Sequence, residues 1–266
     1  MSADWYAFRG FDEQTVKAAR AWYTRFLPAE GRILDVGCGR GEFLDLASEA
    51  GLETYGVDQD HAVLECVSRH TVVGAEALDY LQSTSETFCV ITALHVIEHL
   101  EVEDGDALVR LCGARLEPGG TLILATPNPG SLPTISHEFW SDPTHVRPYE
   151  VDLLEFLCHR AGLDVQESGV NPISAQGLPV DLDDLHIEDT GPRLGALSVP
   201  GGALERWLSG QVARSRYAAE LESAIHSLNM ELRHTRDELT RVAAILRRVL
   251  EVAYEPSEVY VVARGR

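Results

Sequence analysis

Three glycines and two acidic residues carry the densest chemical information in this chain. Residues 33–41 read Ile-Leu-Asp-Val-Gly-Cys-Gly-Arg-Gly, and Asp58 closes the next apolar run, Thr-Tyr-Gly-Val-Asp. An apolar strand that breaks into a turn at Gly37, Gly39 and Gly41 lets the backbone approach a ligand closely. A carboxylate at the tip of the following strand stands where a ribose presents its hydroxyls. The spacing G-x-G-x-G after Asp35 differs from the dinucleotide fingerprint, whose last glycine lies one residue further on, and no Lys-Ser/Thr pair follows to make a P-loop. Two further clusters hold titratable groups. His95-Val-Ile-Glu98-His99 spells H-x-x-E-H, and two imidazoles four residues apart share a helix face that can ligate a metal. His137, Trp140, Asp142, His145, Arg147 and Tyr149 crowd a segment stiffened by Pro143 and Pro148. Trp140 and Tyr149 can stack on a sugar face or an aromatic ring, and a neutral imidazole there can take a proton from a hydroxyl.

Positioning these groups takes a sheet. From about residue 12 to 170, short β-rich runs alternate with helical stretches, the pattern of a parallel sheet covered on both faces. Strands are predicted at 32–36, 53–57, 71–74, 88–93, 121–125 and 163–169, and helices at 12–27, 41–50, 60–69, 104–115 and 149–161. The run 258–263 reads as one more strand. Residues 171–202 are rich in Gly, Pro and acids and are predicted to be a loop or lid. Residues 203–252 read as a long helix in which Leu221, Ile225, Leu228, Leu232, Thr235, Leu239, Val242, Leu246 and Val249 recur at alternating steps of four and three. That is a coiled-coil seam, and it predicts a homodimer.

Composition narrows the partners. With 45% hydrophobic residues, 266 residues can bury a full core. Forty-two acidic against 22 basic residues give a net charge of -20, which argues against nucleic acid as substrate and against anionic membranes. The five cysteines (38, 66, 89, 112 and 158) are scattered without a Cys-x-x-Cys pair, as in reduced, cytoplasmic proteins. No signal segment or membrane span is predicted.

The glycine turn with its acidic partner resembles the first motif of class I S-adenosylmethionine-dependent methyltransferases. The resemblance implies a Rossmann-like α/β sheet of seven strands, the seventh antiparallel. It therefore implies a methyltransferase domain over 1–170, completed by 253–266, with 171–252 inserted between strands six and seven. In that family the glycine turn, here Asp35, Gly37, Cys38, Gly39 and Gly41, faces the methionine part of the cofactor. Asp58 with Gln59 holds the ribose, Glu76 and Ala77 flank the adenine, and Leu94 and His95 run past the methionine end. Arg9 is a candidate partner for the methionine carboxylate. The Glu98-His99 pair resembles one found in many class I methyltransferases. Members acting on quinone precursors carry an acid where this chain has His95 and can hold a divalent cation, so Mg2+ remains open. The wider run, through Thr126-Pro127-Asn128 and Asp142-Pro-Thr-His-Val-Arg-Pro-Tyr149, is similar to bacterial methyltransferases of polysaccharide assembly. It implies O-methylation of a sugar hydroxyl on an oligo- or polysaccharide such as a mannoside. His145 is then the first choice of base and His99 the second, with Glu98 alongside and His137, Trp140, Asp142, Arg147 and Tyr149 around the acceptor. Two alternatives stand: a phenol- or quinone-type small-molecule O-methyltransferase, and a cofactor-binding scaffold without catalysis.

Overall fold

The computed structural model describes residues 13–65, 67–174 and 216–266. They fall into two compact units divided at residues 177 and 252. The first unit is built on seven strands: β1 (Arg32–Val36), β2 (Glu53–Asp58), β3 (Thr71–Gly74), β4 (Phe88–Leu94), β5 (Leu116–Pro127), β6 (Asp164–Val170) and β7 (Glu258–Arg264). Their order is β3-β2-β1-β4-β5-β7-β6. β1 to β5 pair in parallel, and β7 lies antiparallel between β5 and β6. The helices are α1 (Glu13–Ala21), tightening into a 3-10 turn over Trp22–Phe26, then α2 (Glu42–Glu49), α3 (His61–Leu64), α4 (Ala77–Ser83), α5 (Val102–Arg115) and α6 (Val151–Arg160).

Strand residues alternate between two cores, as the two-residue period of a pleated strand requires. Leu34, Val36, Ile91, Ala93, Leu122, Leu124, Val259 and Val261 face one side, with α5 and α6 contributing Leu108, Cys112, Leu154 and Leu157. Ile33, Val90, Leu94, Ile123, Ala125, Tyr260 and Val262 face the other, against Tyr23, Phe43 and Ala47. Apolar residues on both faces are what a parallel sheet covered by helices demands.

Local details depart from the sequence expectation. The helix expected over 60–69 is the single turn α3, capped by the Asp60 side chain, which accepts the Ala62 N–H at 3.0 Å. α4 lies within a stretch read only as a motif. β5 starts at Leu116, because Glu117-Pro118-Gly119-Gly120 forms an irregularity inside the strand rather than a stop before it: Leu116 pairs with Phe88, and pairing resumes at Val90 with Thr121. The second unit is represented by α7 (Arg216–Ala253); the expected loop beyond residue 174 and the start of the expected long helix lie outside the described residues. Among the described residues no helix is long and apolar enough to cross a membrane.

Candidate active site

The strand order reverses between β1 and β4, and there the carboxyl ends of β1, β2 and β4 open onto a cavity of about 880 Å³. Its floor is the glycine turn. Gly37 adopts a φ of +70°, and a Cβ on it would lie 2.5 Å from Val96 Cγ2, so only glycine fits without moving that wall. The Gly37 and Cys38 N–H groups donate to the Val57 carbonyl at 2.8 and 3.1 Å, tying the turn to β2. Asp58 is fixed from both sides: Gly39 N–H donates to its Oδ2 and Asp60 N–H to its Oδ1, each at 2.9 Å. With one N–H on each oxygen, the carboxylate keeps lone pairs for a ligand's hydroxyls. The Gln59 amide faces the Glu76 carboxylate; the acceptor-only partner assigns the facing atom as nitrogen, which then donates to its two oxygens at 2.5 and 3.0 Å. Val57, Ala75, Ala77, Leu94 and Leu100 supply the apolar wall, and Arg20 of α1 reaches the rim. Arg20 was not foreseen. It is 8% exposed, with Nη1 3.8 Å from Glu42 Oε2, and a basic residue on the inner face of the predicted first helix was its only sequence signal.

Several expected cofactor residues do not line this cavity. Asp35 is buried beneath the turn, accepting the Thr92 hydroxyl at 2.6 Å. Burial pushes its carboxyl up to about 6, against the pull of Arg20 and Thr92. Cys38 packs with Leu44 and Val67, and Gly41 caps α2 with its Cα side against Val67. These three support the turn. Arg9 lies outside the described residues.

Beyond Leu94 the chain bends sharply: His95 has a φ of +60°, rare for a residue with a side chain. Its ring joins two carboxylates. Nδ1 lies 3.2 Å from Glu98 Oε1 and Nε2 lies 2.5 Å from Glu258 Oε2. Both ring nitrogens facing carboxylate oxygens is the arrangement of an imidazolium. Burial disfavours that charge, but the hydrogen bonds and charges of Glu258 and Glu98 outweigh it and push His95 up to about 10. The other carboxylate oxygens are also satisfied, Glu98 by the Thr126 hydroxyl at 3.0 Å and Glu258 by Tyr23 and by Asn171 at 2.7 Å. Burial works against ionisation of both acids, yet His95 holds them below the usual carboxylate range.

His99 and Thr144 also line the cavity. The Thr144 hydroxyl donates to Asp142 Oδ1 at 2.6 Å, and the same oxygen faces His99 Nδ1 at 3.0 Å. Since the hydroxyl proton goes to the carboxylate, Nδ1 carries its own proton and donates to Thr144, leaving Nε2 as the basic atom. Burial lowers the pKa of His99, the neighbouring His145 lowers it further, and the Glu98 charge opposes both. His145 sits behind His99, ring centroids 4.7 Å apart, against the Phe139 ring and with Nδ1 2.7 Å from the Phe139 carbonyl.

Packing places the remaining acceptor-side residues off the cavity wall. Tyr149 is 1% exposed in the core, its hydroxyl over Gly105, so it offers no stacking face. Arg147 lies across that ring, 4.8 Å from its centroid. Trp140 is 61% exposed and His137 is exposed, both on the helical segment 132–141 that follows β5 and is π-helical over Thr134–Glu138, and neither lines the cavity. Asp142 is buried, acting through Thr144. Ligand atoms of Glu98, His99 and His145 lie within 4.8 Å of one another. One carboxylate with two imidazoles does not fit Mg2+, which takes oxygen ligands and water, and both Glu98 oxygens already accept protein hydrogen bonds.

A family model described as a methyltransferase domain matches residues 11–168. The chain belongs to the class I S-adenosylmethionine-dependent methyltransferases. This methyltransferase is 32% identical over 192 residues to a ubiquinone biosynthesis O-methyltransferase of Marinobacter nauticus, covering 60% of this chain and 77% of that one. A protein of the same name from Mesorhizobium japonicum is 38% identical over 109 residues, 38% of this chain and 43% of the relative, so the chain spans under half of that relative's length. A solved S-adenosylmethionine-dependent methyltransferase from Archaeoglobus fulgidus shares the fold, with a TM-score of 0.63, 22% identity and coverage of 98% and 97%. The implied cofactor fits the methyltransferase cavity: a carboxylate for a diol, an apolar wall for a purine, a glycine floor a Cβ would fill, and a guanidinium at the rim. The narrower likeness to enzymes of polysaccharide assembly finds no support among these relatives.

Proposed function

We propose that the methyltransferase transfers a methyl group from S-adenosylmethionine to a hydroxyl of a small molecule of the phenol or quinone-precursor type, with His99 as general base. The observation that carries this is the Asp142–Thr144–His99 chain, which presents a neutral imidazole with a defined tautomer to the cavity. When bound, the cofactor supplies a methyl group on a sulfonium. Asp58 holds the ribose hydroxyls, Glu76 and Ala77 flank the adenine, and Arg20 at the cavity rim pairs with the carboxylate. A phenolic hydroxyl is a weak nucleophile until its proton leaves, so His99 Nε2 removes it as the new bond forms. The fixed His95 imidazolium cannot serve as a base, because both nitrogens are already donors. The small-molecule acceptor is supported by the relatives' names and by the absence of Trp140 and Tyr149 from the cavity lining.

The test is transfer of a labelled methyl group to a panel of catechols, short mannosides and partly methylated mannosides, each with and without chelator. Label on catechols that survives chelation is expected. Label only on mannosides would return the polysaccharide reading, and loss of turnover with chelator would refute the metal-free base.

A further inference from the structure

We infer that α7 assembles the methyltransferase with further copies of itself, as a parallel, in-register coiled coil of more than two strands. The steps of three and four fix the heptad. Ile225, Leu232, Leu239 and Leu246 occupy a positions, and Leu228, Thr235, Val242 and Val249 occupy d positions. The described apolar residues of this seam from Leu228 onward are between 43% and 58% exposed, and Ile245 and Val252 beside it exceed 60%. An apolar stripe of this length on an exposed helix face needs a partner.

Charge selects the partner and its direction. Glu231, Glu238, Ile245 and Val252 fall at g; Asn229, Arg236, Ala243 and Leu250 fall at e. Parallel, in-register strands oppose each g with the e of the next heptad, giving Glu231 with Arg236 and Ile245 with Leu250 of the neighbouring copy. Antiparallel strands oppose g with g and e with e. Glu231 or Glu238 then faces a glutamate, Ile245 or Val252, and Arg236 faces itself or an uncharged residue. In register, Glu238 meets only the small Ala243, so the one charged pair is attractive and the apolar residues match, whereas no antiparallel arrangement opposes opposite charges. A closed symmetric assembly of parallel strands has no stagger and repeats these contacts between every adjacent pair. The matching surface is therefore another copy of this helix.

Strand number follows from the seam. β-branched residues at a with leucine at d favour two strands, whereas leucine at a with β-branched residues at d favours more. Here leucine fills a at 232, 239 and 246, and Thr235, Val242 and Val249 fill d; the first heptad alone, Ile225 with Leu228, has the two-stranded pattern. Apolar residues at g and e in the last heptads (Ile245, Leu250 and Val252) widen the face beyond what two strands cover.

Sedimentation or light scattering of the full chain should give a mass of three or four 29.2 kDa chains. Leu239→Asp, at a position 50% exposed in the single chain, should return the mass of one chain with the near-UV circular dichroism of the sheet unit unchanged. Glu231→Arg and Arg236→Glu should each weaken association by roughly fivefold or more, and the double variant should recover to within about twofold of the parent. A mass of one or two chains, or a double variant no tighter than the singles, would overturn the proposal.

Discussion

Replacing His95 with asparagine isolates the central electrostatic device of the site. Asparagine tolerates a positive φ, so the backbone conformation at +60° adds little cost of its own. What is lost is a cation between two buried carboxylates, through contacts of 2.5 and 3.2 Å. Hydrogen bonds to charged groups contribute about 1.5–3 kcal/mol each, and an uncompensated buried charge costs about 3–5 kcal/mol. Two facts reduce the total: the His95 ring is 33% exposed, so solvent screens part of the attraction, and Tyr23, Asn171 and Thr126 still donate to the acids. A loss of about 3 kcal/mol follows, or roughly 6–12 °C in Tm for a domain of this size. The assay is urea and thermal unfolding read by near-UV circular dichroism, since the cluster of Trp22, Tyr23 and Tyr260 lies against the same network. The pH dependence is the sharper signature. His95 has its pKa raised to about 10 by folding, so its contribution is complete below the ordinary imidazole value of about 6.5 and is lost as pH rises through 10. Glu98 and Glu258 are lowered by folding, so theirs is present above the ordinary carboxylate range and is lost as pH falls through their folded values. The gap between parent and variant should therefore be widest near pH 6, shrink steadily as pH rises from about 6.5 to 10, and close again in acid as the carboxylates protonate. A variant within about 0.5 kcal/mol of the parent at pH 7.5, or a gap that does not vary with pH, would refute the imidazolium clamp.

Further outcomes follow from the same geometry. His99→Ala should retain cofactor affinity and lose about 10²–10⁴-fold in kcat, measured by isothermal titration alongside turnover; near-normal turnover would remove His99 as the base. Because burial and His145 lower the His99 pKa, kcat/KM of the parent should fall on the acid side only below about pH 6.5. Asp142→Asn should lower kcat and move that limb to still lower pH, with KM for the cofactor unchanged, whereas a purely structural role would leave the limb in place. Gly37→Ala must place a Cβ 2.5 Å from Val96 Cγ2 at a φ of +70°; the conformation alone costs about 1–2 kcal/mol, so cofactor affinity should drop at least tenfold, and unchanged binding would contradict the floor described here.

The sheet was legible because its strands are short apolar runs punctuated by glycine and proline, and burial on both faces leaves such runs little other use. The antiparallel seventh strand was legible through resemblance rather than through any local signal. Gly37, Gly39 and Asp58 were readable because their chemistry is local: a turn, and the tip of the strand beside it. Tyr149 reads as a stacking ring from the sequence because a tyrosine just after a proline looks the same whether its ring meets solvent or, as here, the core under α5. His145 and His99 exchange precedence for the same reason, since the sequence places both near the cavity but only packing decides which ring reaches it. The contact between His95 and Glu258 spans 163 residues, a distance at which a single sequence carries no pairing signal.

The position of β7 has a consequence for the order in which the molecule is made. β5 and β6 are both synthesised long before the strand that joins them, and neither touches the other without it. A chain still on the ribosome at residue 250 carries two open sheet edges, aligned to receive a missing strand, together with a His95 side chain lacking one of its two carboxylates. Capture by any exposed strand of a neighbouring nascent chain is then a competing path. The His95 clamp at the cavity wall consequently closes last, and an inserted segment of more than 80 residues between Val170 and Glu258 sets how long that vulnerable interval lasts.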